Sequence, residues 1–304
     1  MLAAMEVVGA EEDGGALHGA RLAVVGAGSM AEAMVAGLVD RRLLAGDQVV
    51  CSHPRPDRRA ELESRHGVRA VTGNREAVPG ADIVLLAVKP QVLPTVLHEL
   101  RGVLAPGQLV LSVVAGASTA ALTAGLDHHA VVRSMPNTPA TIGRGVTVWF
   151  ATEQVGAVDR RRTRAMLSAL GREFEVHDER QVAMATAVSG SGPTYTFLFV
   201  EALIDAAVHL GFARHVAREL VLDTVAGSAA YALQSGRHVA ELREMVTSPA
   251  GTSAEALYQL ERGRLRTVVS DAVWAAYERV QELEADLDPR ADRTGSHRRR
   301  GPQR

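Results

Sequence analysis

The chain changes character once along its length. From Arg21 to about Asp178, short β-rich runs such as "RLAVVGAG" and "ADIVLLAV" alternate with helix-like segments. This alternation is the pattern of βαβ units on a parallel sheet. From Glu179 to Ala285 the apolar residues recur with the period of a helix, and no run is typical of a strand. The sequence therefore predicts an α/β domain followed by an all-α domain.

The predicted domain boundaries follow composition. Residues 1–20 mix glycine with an acidic "EEDGG" run, and residues 286–304 are basic and nearly without apolar side chains. Both segments are predicted to be disordered, because they bury too little apolar surface to offset the entropy of ordering. The α/β domain is then expected over 21–178 and the helical domain over 179–285. The basic tail could touch RNA, but it has no interleaved aromatic residues, which favours a solvated end.

Composition excludes several classes of protein. The chain has 304 residues, of which 47% are hydrophobic, and a net charge of −2, which fits two globular domains and gives no basic surplus for nucleic acid. Two uncharged runs, 102–126 and 181–200, are broken by Gly, Pro, Ser and Thr, so neither is expected to span a membrane. One cysteine, Cys51, and no leader-like start predict a cytoplasmic protein. The histidines show no metal-ligand spacing, so no metal is expected.

The first βα junction carries a dinucleotide-binding pattern. In "LAVVGAGSMAEAM", Gly26 and Gly28 follow an apolar strand, and Ala31 takes the third position of G-x-G-x-x-G/A. The amides of the next helix, including those of Ser29 and Met30, are expected to face the pyrophosphate. The N-terminal domain is therefore predicted to be a Rossmann-like dinucleotide-binding domain.

The choice of dinucleotide depends on the end of the second strand. NAD enzymes usually place Asp or Glu there to hold the ribose hydroxyls, whereas this chain has Ser52, His53 and Arg55. A hydroxyl and a guanidinium suit a 2′-phosphate. The alternative is a solvated basic loop, because arginines continue into the next helix. We predict NADPH, with NADH possible.

Lys89 is the only lysine in the chain. It follows the apolar strand 83–88 and precedes Pro90, so it is expected at the carboxyl edge of the sheet, where ligands bind. Ala87 and Val88 immediately precede it. These four residues are candidate cofactor contacts, although a surface lysine is the alternative interpretation of Lys89.

A loop rich in small residues interrupts the helical domain. The stretch "EMVTSPAGTSAEAL" places hydroxyls and a glycine just before a new helix, which is more than a connector needs. Free amides at a helix start suit an anion, and small side chains allow it to approach. The break is therefore predicted to be a site, with helix capping by Thr252 or Ser253 as the alternative role.

Several motifs together resemble one family. The segments "VVGAGSMAEAM", "LAVKPQ", "VVRSMPNTPA", "AVSGSGPTYTFLFVEALIDAAVHLGF" and "VTSPAGTSAEAL" have the order and spacing found in pyrroline-5-carboxylate reductases. The resemblance implies reduction of Δ1-pyrroline-5-carboxylate to L-proline with NAD(P)H. It also implies an all-α dimerisation domain at the C-terminus, with assembly as a dimer or a pentamer of dimers.

The resemblance assigns roles to particular residues. It implies that Ser253 is catalytic, holding the ring nitrogen, while the carboxylate falls on Gly251, Thr252 and Ser253 and Pro193 lies near the ring. Asn74, Gly116 and Asn137 would line the cofactor, and Thr138 and Pro139 would lie near the nicotinamide. Each could instead serve a turn. The chain departs from the family in having Ala250 where the family has Gly, and Ser253 where it ends in Thr, so Ala250 would be strained if that position needs a positive φ.

Rival functions remain at this point. A β-hydroxyacid dehydrogenase is disfavoured, because that family uses a lysine in its helical domain and this chain has none after Lys89. A reductase of another cyclic imine acid and a non-catalytic NADPH-binding sensor both stay open.

Overall fold

The computed structural model describes residues 15–287. These fall into two compact units: one contains the residues up to Gly190 together with those from Ala276 onward, and the other is Ser191–Ala275. The chain therefore combines an N-terminal Rossmann-like unit with a helical unit, as the sequence predicts.

The N-terminal unit is built on a sheet of eight strands in the order β3-β2-β1-β4-β5-β6-β7-β8. Its strands are β1 (Leu22–Val25), β2 (Val49–Ser52), β3 (Arg69–Val71), β4 (Ile83–Leu86), β5 (Leu109–Ser112), β6 (Val131–Met135), β7 (Gly145–Ala151) and β8 (Gly171–Glu175). Strands β1 to β6 are parallel, but β7 is antiparallel to β6. The predicted parallel sheet is confirmed, with this pair as its one antiparallel step among the described strands. Only the short 3-10 turn Thr138–Ile142 separates the two strands, which is too little chain for a crossover helix.

Helices cover both faces of this sheet. They are α1 (Ser29–Asp40), α2 (Pro56–His66), α3 (Asn74–Ala77), α4 (Leu93–Leu100), α5 (Thr119–Leu126), α6 (Ala157–Ser168) and α7 (Arg180–Ala185), the last followed by a π-helical turn Thr186–Gly190. Alternate strand residues supply the two cores: Leu22 and Val24 face one cluster, whereas Ala23 and Val25 face the other. Strands buried on both faces explain why these runs read as continuously apolar.

Both ends of the predicted domains differ from the structure. Leu17 is 1% exposed and packs in the core of the N-terminal unit, so the prediction of disorder is wrong for residues 15–20. Leu17 is a single apolar residue in a stretch that contains glycines, so no periodic apolar pattern indicated that it would be buried. The residues 179–190 and 276–287 also belong to the N-terminal unit, which shifts the boundary predicted at 179. Residues 1–14 and 288–304, including most of the predicted tail, lie outside the described residues.

The second unit is entirely helical over its described residues. Its helices are α8 (Gly192–His209), α9 (Arg214–Ser235), α10 (Val239–Met245) and α11 (Thr252–Arg262), and α12 (Leu265–Leu287) begins in it and ends in the N-terminal unit. Few of its side chains are buried, and large apolar residues such as Phe197, Leu233 and Val246 are 65%, 76% and 68% exposed. An apolar surface of this extent is typical of an interface between subunits. None of the described helices is both long and apolar enough to cross a bilayer.

Candidate functional site

The glycine loop after β1 has the shape that a dinucleotide needs. Gly26 adopts φ +87°, and a Cβ at this position would lie 2.4 Å from Val88 Cγ1, so only glycine fits. Gly28 is the N-cap of α1, and Ala31 is 1% exposed against the core. The roles predicted for the three positions agree with this geometry, because the tight turn, the open backbone and the close helix packing are all present.

The start of α1 offers unpaired donors. Among the hydrogen bonds of the described residues, none pairs the backbone amides of Ser29 and Met30, whereas Glu32 N already donates to Gly28 O at 2.9 Å. Gly28 and Ser29 are exposed. Free amides and the positive end of the helix dipole suit a phosphate. The residues present therefore fit the pyrophosphate of a dinucleotide.

An arginine absent from the predicted site holds this loop. Arg58 Nε donates to the carbonyl oxygen of Ala27 at 3.2 Å, and its Nη2 lies 2.6 Å from Glu32 Oε2. Burial opposes ionisation of Glu32, but hydrogen bonds from Arg58, His66 and Arg65 outweigh it and lower the pKa of the carboxyl. In the sequence Arg58 is only one member of a basic run in a predicted helix, because its contact with Ala27 spans 31 residues.

Ser52 and Asn74 come together beneath the end of β2. Ser52 Oγ donates to Asn74 Oδ1 at 2.7 Å, and Asn74 Nδ2 donates to Glu99 Oε2 at 2.8 Å. Ser52 is 0% exposed. The prediction that its hydroxyl binds a 2′-phosphate is not supported by this structure, because a buried hydroxyl already paired with Asn74 cannot reach a ligand. Glu99 was missed, since nothing in the sequence marks it as the partner of Asn74.

Arg55 is the basic side chain left open at this edge. Among residues 15–287 its one ion pair is with Asp57, and the two side chains are 69% and 65% exposed. An exposed pair of this kind is weak, so a phosphate can replace Asp57. Partial burial lowers the pKa of the neighbouring His53 below its usual value. Arg55 therefore keeps the role predicted for it as a candidate ligand of a 2′-phosphate.

The segments after β4 and β5 continue the same edge of the sheet. Ala87 N donates to Val25 O at 2.9 Å, which places Ala87 and Val88 beside the glycine loop. Lys89 is exposed, and Pro90 begins a 3-10 turn. Gly116, at φ +75°, is buried against α12, where a Cβ would lie 2.9 Å from Leu283 Cβ. The predicted open cofactor contact at Gly116 is therefore covered by this helix.

Asn137 has a structural role in this fold. It is 9% exposed; its Nδ2 donates to Ser189 O at 3.0 Å, and its Oδ1 accepts from Val146 N at 2.8 Å. The side chain thus joins the start of β7 to the π-helical turn. The predicted contact of Asn137 with the cofactor would therefore have to use the second N–H of Nδ2 or the second lone pair of Oδ1. Thr138 is exposed and Pro139 half-buried.

The loop before α11 forms a helix start with free donors. Gly251 is the N-cap, and no side chain caps the helix, so the alternative of capping by Thr252 or Ser253 is wrong. Gly251 N donates to Ser248 O at 3.0 Å, whereas the amides of Thr252 and Ser253 have no acceptor among the described residues. Two amides, rather than the predicted three, thus remain for an anion. The Ser253 hydroxyl makes no hydrogen bond within the described part of the chain either.

Two residues fix the shape of this loop. Ala250 adopts φ +58°, the left-handed conformation that glycine would take without strain. The strain expected at this departure from the family is therefore present. A Cβ on Gly251 would lie 2.4 Å from Ser248 Oγ and 3.1 Å from Ser248 O, so a larger residue would displace the Ser248 hydroxyl and crowd the turn. Pro193 lies in the first turn of α8 in the same unit and is half-buried.

The described residues contain no cluster of metal-ligating side chains. Among residues 15–287, no group of three or more His, Cys, Asp or Glu side chains is arranged to hold a metal ion. Cys51 lies in β2 and is 0% exposed, and burial raises the pKa of its thiol to about 12. It is therefore a core residue and supplies no nucleophile.

Comparisons with known proteins agree with this division of the chain. The family model described as pyrroline-5-carboxylate reductase dimerisation matches residues 179–283, and the one described as NADP oxidoreductase, coenzyme F420-dependent, matches residues 21–116. Relatives named pyrroline-5-carboxylate reductase include one from Synechocystis, 40% identical over 86% of this chain and 98% of its own. Another, from Mycobacterium leprae, is 41% identical over 87% of this chain and 97% of its own.

Solved structures give the same result. A pyrroline-5-carboxylate reductase from Coxiella burnetii is 35% identical, with a TM-score of 0.81 over 87% of this chain and 98% of that one. The Plasmodium falciparum pyrroline carboxylate reductase, solved with NADP bound, is 28% identical, with a TM-score of 0.80 over 87% of this chain and 98% of that one. Identity of 34–41% with relatives covered almost end to end leaves one assignment. This chain belongs to the pyrroline-5-carboxylate reductase family.

Proposed function

We propose that this protein is a pyrroline-5-carboxylate reductase, an NAD(P)H-dependent oxidoreductase that reduces the C=N bond of Δ1-pyrroline-5-carboxylate to give L-proline, as in proline biosynthesis. The observation that carries the proposal is the presence, in a chain of this family, of both a dinucleotide-binding glycine loop and an open helix start at Thr252 and Ser253. The first accounts for the hydride donor and the second for an anionic substrate.

The helix start of α11 suits the substrate carboxylate. The amides of Thr252 and Ser253 point out of the helix with no internal acceptor, and the helix dipole adds a positive potential there. The small residues around them allow a compact ring to approach. The free hydroxyl of Ser253 is then our candidate to hydrogen-bond the ring nitrogen, as its catalytic role.

The reaction asks mainly for orientation. The ring nitrogen of a cyclic imine is basic, and once protonated the C=N carbon accepts hydride without further acid catalysis. When bound, the reduced nicotinamide supplies that hydride. The chain's residues then need to hold the imine carbon at near-attack distance and to keep the charged nitrogen solvated by a hydroxyl. Ser253 is proposed for the second role, and Pro193 is proposed to lie against the ring.

NADPH is the proposed cofactor, with NADH as a slower alternative. The support is the absence of a carboxylate at the end of β2, the open guanidinium of Arg55, and the NADP found in the Plasmodium relative. Arg55→Ala should raise the KM for NADPH about tenfold and leave the KM for NADH unchanged. Arg69→Ala is the control, because Arg69 is exposed at the opposite end of the edge strand β3. An equal rise in the KM for both cofactors would show that Arg55 does not bind the 2′-phosphate.

The activity is tested by the oxidation of NADPH in the presence of pyrroline-5-carboxylate, measured for the wild type and Ser253→Ala. A lost hydrogen bond to a charged nitrogen predicts a fall in kcat/KM of about tenfold to a hundredfold. Ser228→Ala is the matched control, because the Ser228 hydroxyl donates to Thr224 O within α9 and to no other group that the structure describes. Bound NADPH without turnover would favour a non-catalytic sensor. Faster reduction of an imine acid with a ring of another size would favour a different substrate, and the departures from the family at Ala250 and Ser253 are consistent with that alternative.

Self-association completes the proposal. The chain carries the family's dimerisation domain, and exposed apolar residues on α8 to α12, among them Phe197, Leu210 and Leu233, need a covering surface. We propose an obligate dimer that can assemble further into a pentamer of dimers. Light scattering should give at least twice the chain mass of 32.3 kDa, and a monomer would contradict this. A cytoplasmic location is proposed with it, in line with the buried, unpaired thiol of Cys51.

A further inference from the structure

The last turns of α12 lie against the loop that follows β5. This β5 loop, residues 113–118, contains Gly116 at φ +75°. A Cβ there would lie 2.9 Å from Leu283 Cβ and 3.4 Å from the Leu283 carbonyl carbon. The backbone of the loop at Gly116 therefore packs directly against α12, with no room for a side chain between them.

A buried arginine ties the same helix to the sheet. Arg133, on β6, is 3% exposed, and its guanidinium donates to Glu284 on α12 and, from Nη1, to Glu179 Oε1 at 3.0 Å. A buried charge needs such partners, because leaving it unpaired in the interior is strongly destabilising. Removing the charge of Glu284 therefore loosens α12 specifically at this point.

The far end of the β5 loop is held by the second carboxylate. Glu179 accepts from the amide of Thr119 and from its hydroxyl, both at 2.7 Å. Thr119 is the first residue of α5, directly after the loop. Arg133 lies between the two carboxylates, so one guanidinium connects α12, through Glu284, with the end of the β5 loop, through Glu179.

The β5 loop lies where the cofactor's nicotinamide half is expected. Val113 N donates to Leu86 O at 3.0 Å, so the loop starts beside the segment 87–89 at the carboxyl edge of the sheet. The adenosine half of a dinucleotide lies toward β2 in this fold, which leaves β4 and β5 for the other half. Val113 and Ala115 are half-buried, unlike Gly116.

We propose that Glu284 is a positioning residue for the cofactor. Through Arg133 and the contact of Leu283 with Gly116, it fixes the β5 loop in the shape that receives the nicotinamide half of NADPH. This inference rests on the proposed function only in its choice of cofactor. The helix that closes the chain's described part thereby contributes to cofactor binding without touching the cofactor.

The test compares two substitutions of Glu284 with one control substitution on the same helix, all in the intact protein. Glu284→Gln keeps the shape and removes the charge, and Glu284→Asp keeps the charge but shortens the side chain. Glu282→Gln is the control, because Glu282 pairs with Arg279 alone within the described part of the chain, and both side chains are more than half exposed. The Kd for NADPH is measured by titration calorimetry, together with kcat, the KM for pyrroline-5-carboxylate and the Tm.

Glu284→Gln should raise the Kd for NADPH about fivefold or more and lower kcat, while the KM for pyrroline-5-carboxylate changes less than twofold. Glu284→Asp should recover part of the affinity, and Glu282→Gln should match the wild type. A lower Tm with unchanged Kd and kcat, in Glu284→Gln or, if that variant does not fold, in Glu284→Asp, would overturn the inference. A wild type that binds NADPH without turnover, with the same shift in Kd, would refute the proposed function and leave this inference standing.

Discussion

Arg58 Nη2 lies 2.6 Å from Glu32 Oε2, while Nε of the same guanidinium donates to the carbonyl oxygen of Ala27 at 3.2 Å. One side chain on α2 thus holds both the glycine loop and the first turn of α1. Both members of the pair are mostly buried, at 15% and 20% exposure, so solvent screens the interaction less than it does an exposed pair.

Arg58→Gln should weaken the binding of NADPH and NADH alike. Arg58 orders the loop that faces the pyrophosphate, and both cofactors share that group, so the KM for each is expected to rise about fivefold. Arg65→Gln is the control, because Arg65 also pairs with Glu32 but is 59% exposed. Steady-state kinetics with both cofactors decides the point. A loss confined to NADPH would instead assign Arg58 to the 2′-phosphate.

The charge of Glu32 predicts a dependence of stability on pH. Its pKa is lowered in the folded protein from the ordinary 4.5, so the ionised carboxylate stabilises the fold fully above pH 4.5 and loses this effect as the pH falls through the lowered pKa. The Tm of the wild type should therefore exceed that of Glu32→Gln at neutral pH. The two values should converge below pH 4.5. A constant difference across this range would show that the side-chain charge is not the source.

Gly251→Ala should impair substrate binding. The new Cβ would lie 2.4 Å from Ser248 Oγ and 3.1 Å from Ser248 O, so the Ser248 hydroxyl must rotate away and the Ser248 carbonyl must shift, which disturbs the turn that leads into α11. We expect the KM for pyrroline-5-carboxylate to rise at least about tenfold, with NADPH affinity unchanged. Gly227→Ala, in α9, is the matched control, because a Cβ there meets nothing within 4 Å. Equal KM values for pyrroline-5-carboxylate in the two variants would show that this loop does not bind the substrate.

Ala250→Gly should improve the same loop. Ala250 at φ +58° carries strain of about 1 to 2 kcal/mol, of which the flexibility of an unfolded glycine offsets about 0.5 to 1 kcal/mol. A small rise in Tm and a lower KM for pyrroline-5-carboxylate are expected. Arg42→Gly relieves the same backbone strain at φ +58° in the N-terminal unit and should raise the Tm without changing the KM. An increased KM in Ala250→Gly would show that Ala250 preorders the loop.

The sequence predicted the parts of this molecule that depend on local pattern. The glycine loop, the switch from strands to helices and the helix start at Gly251 all follow from spacing and residue type within a short window. A positive φ at Ala250 was raised only as a condition, from the resemblance to a family that has glycine there, and the structure has φ +58° at this residue.

Interactions between distant segments could not be predicted in this way. The hydroxyl of Ser52 reads as an open ligand in the sequence, but it is buried because Asn74, 22 residues away, lies over it. Gly116 reads as a cofactor contact, yet α12 packs against it from much later in the chain. Tertiary packing, rather than local propensity, decides which polar or small residues remain open to a ligand.

The most direct test of the account is the fate of the hydride. The protein is incubated with pyrroline-5-carboxylate and NADPH deuterated at the transferable position of nicotinamide C4, and the product is examined by mass spectrometry and NMR. The account predicts L-proline carrying one deuterium on the ring carbon next to nitrogen that was the imine carbon. Unlabelled proline, or no proline from protein that binds NADPH, would contradict it.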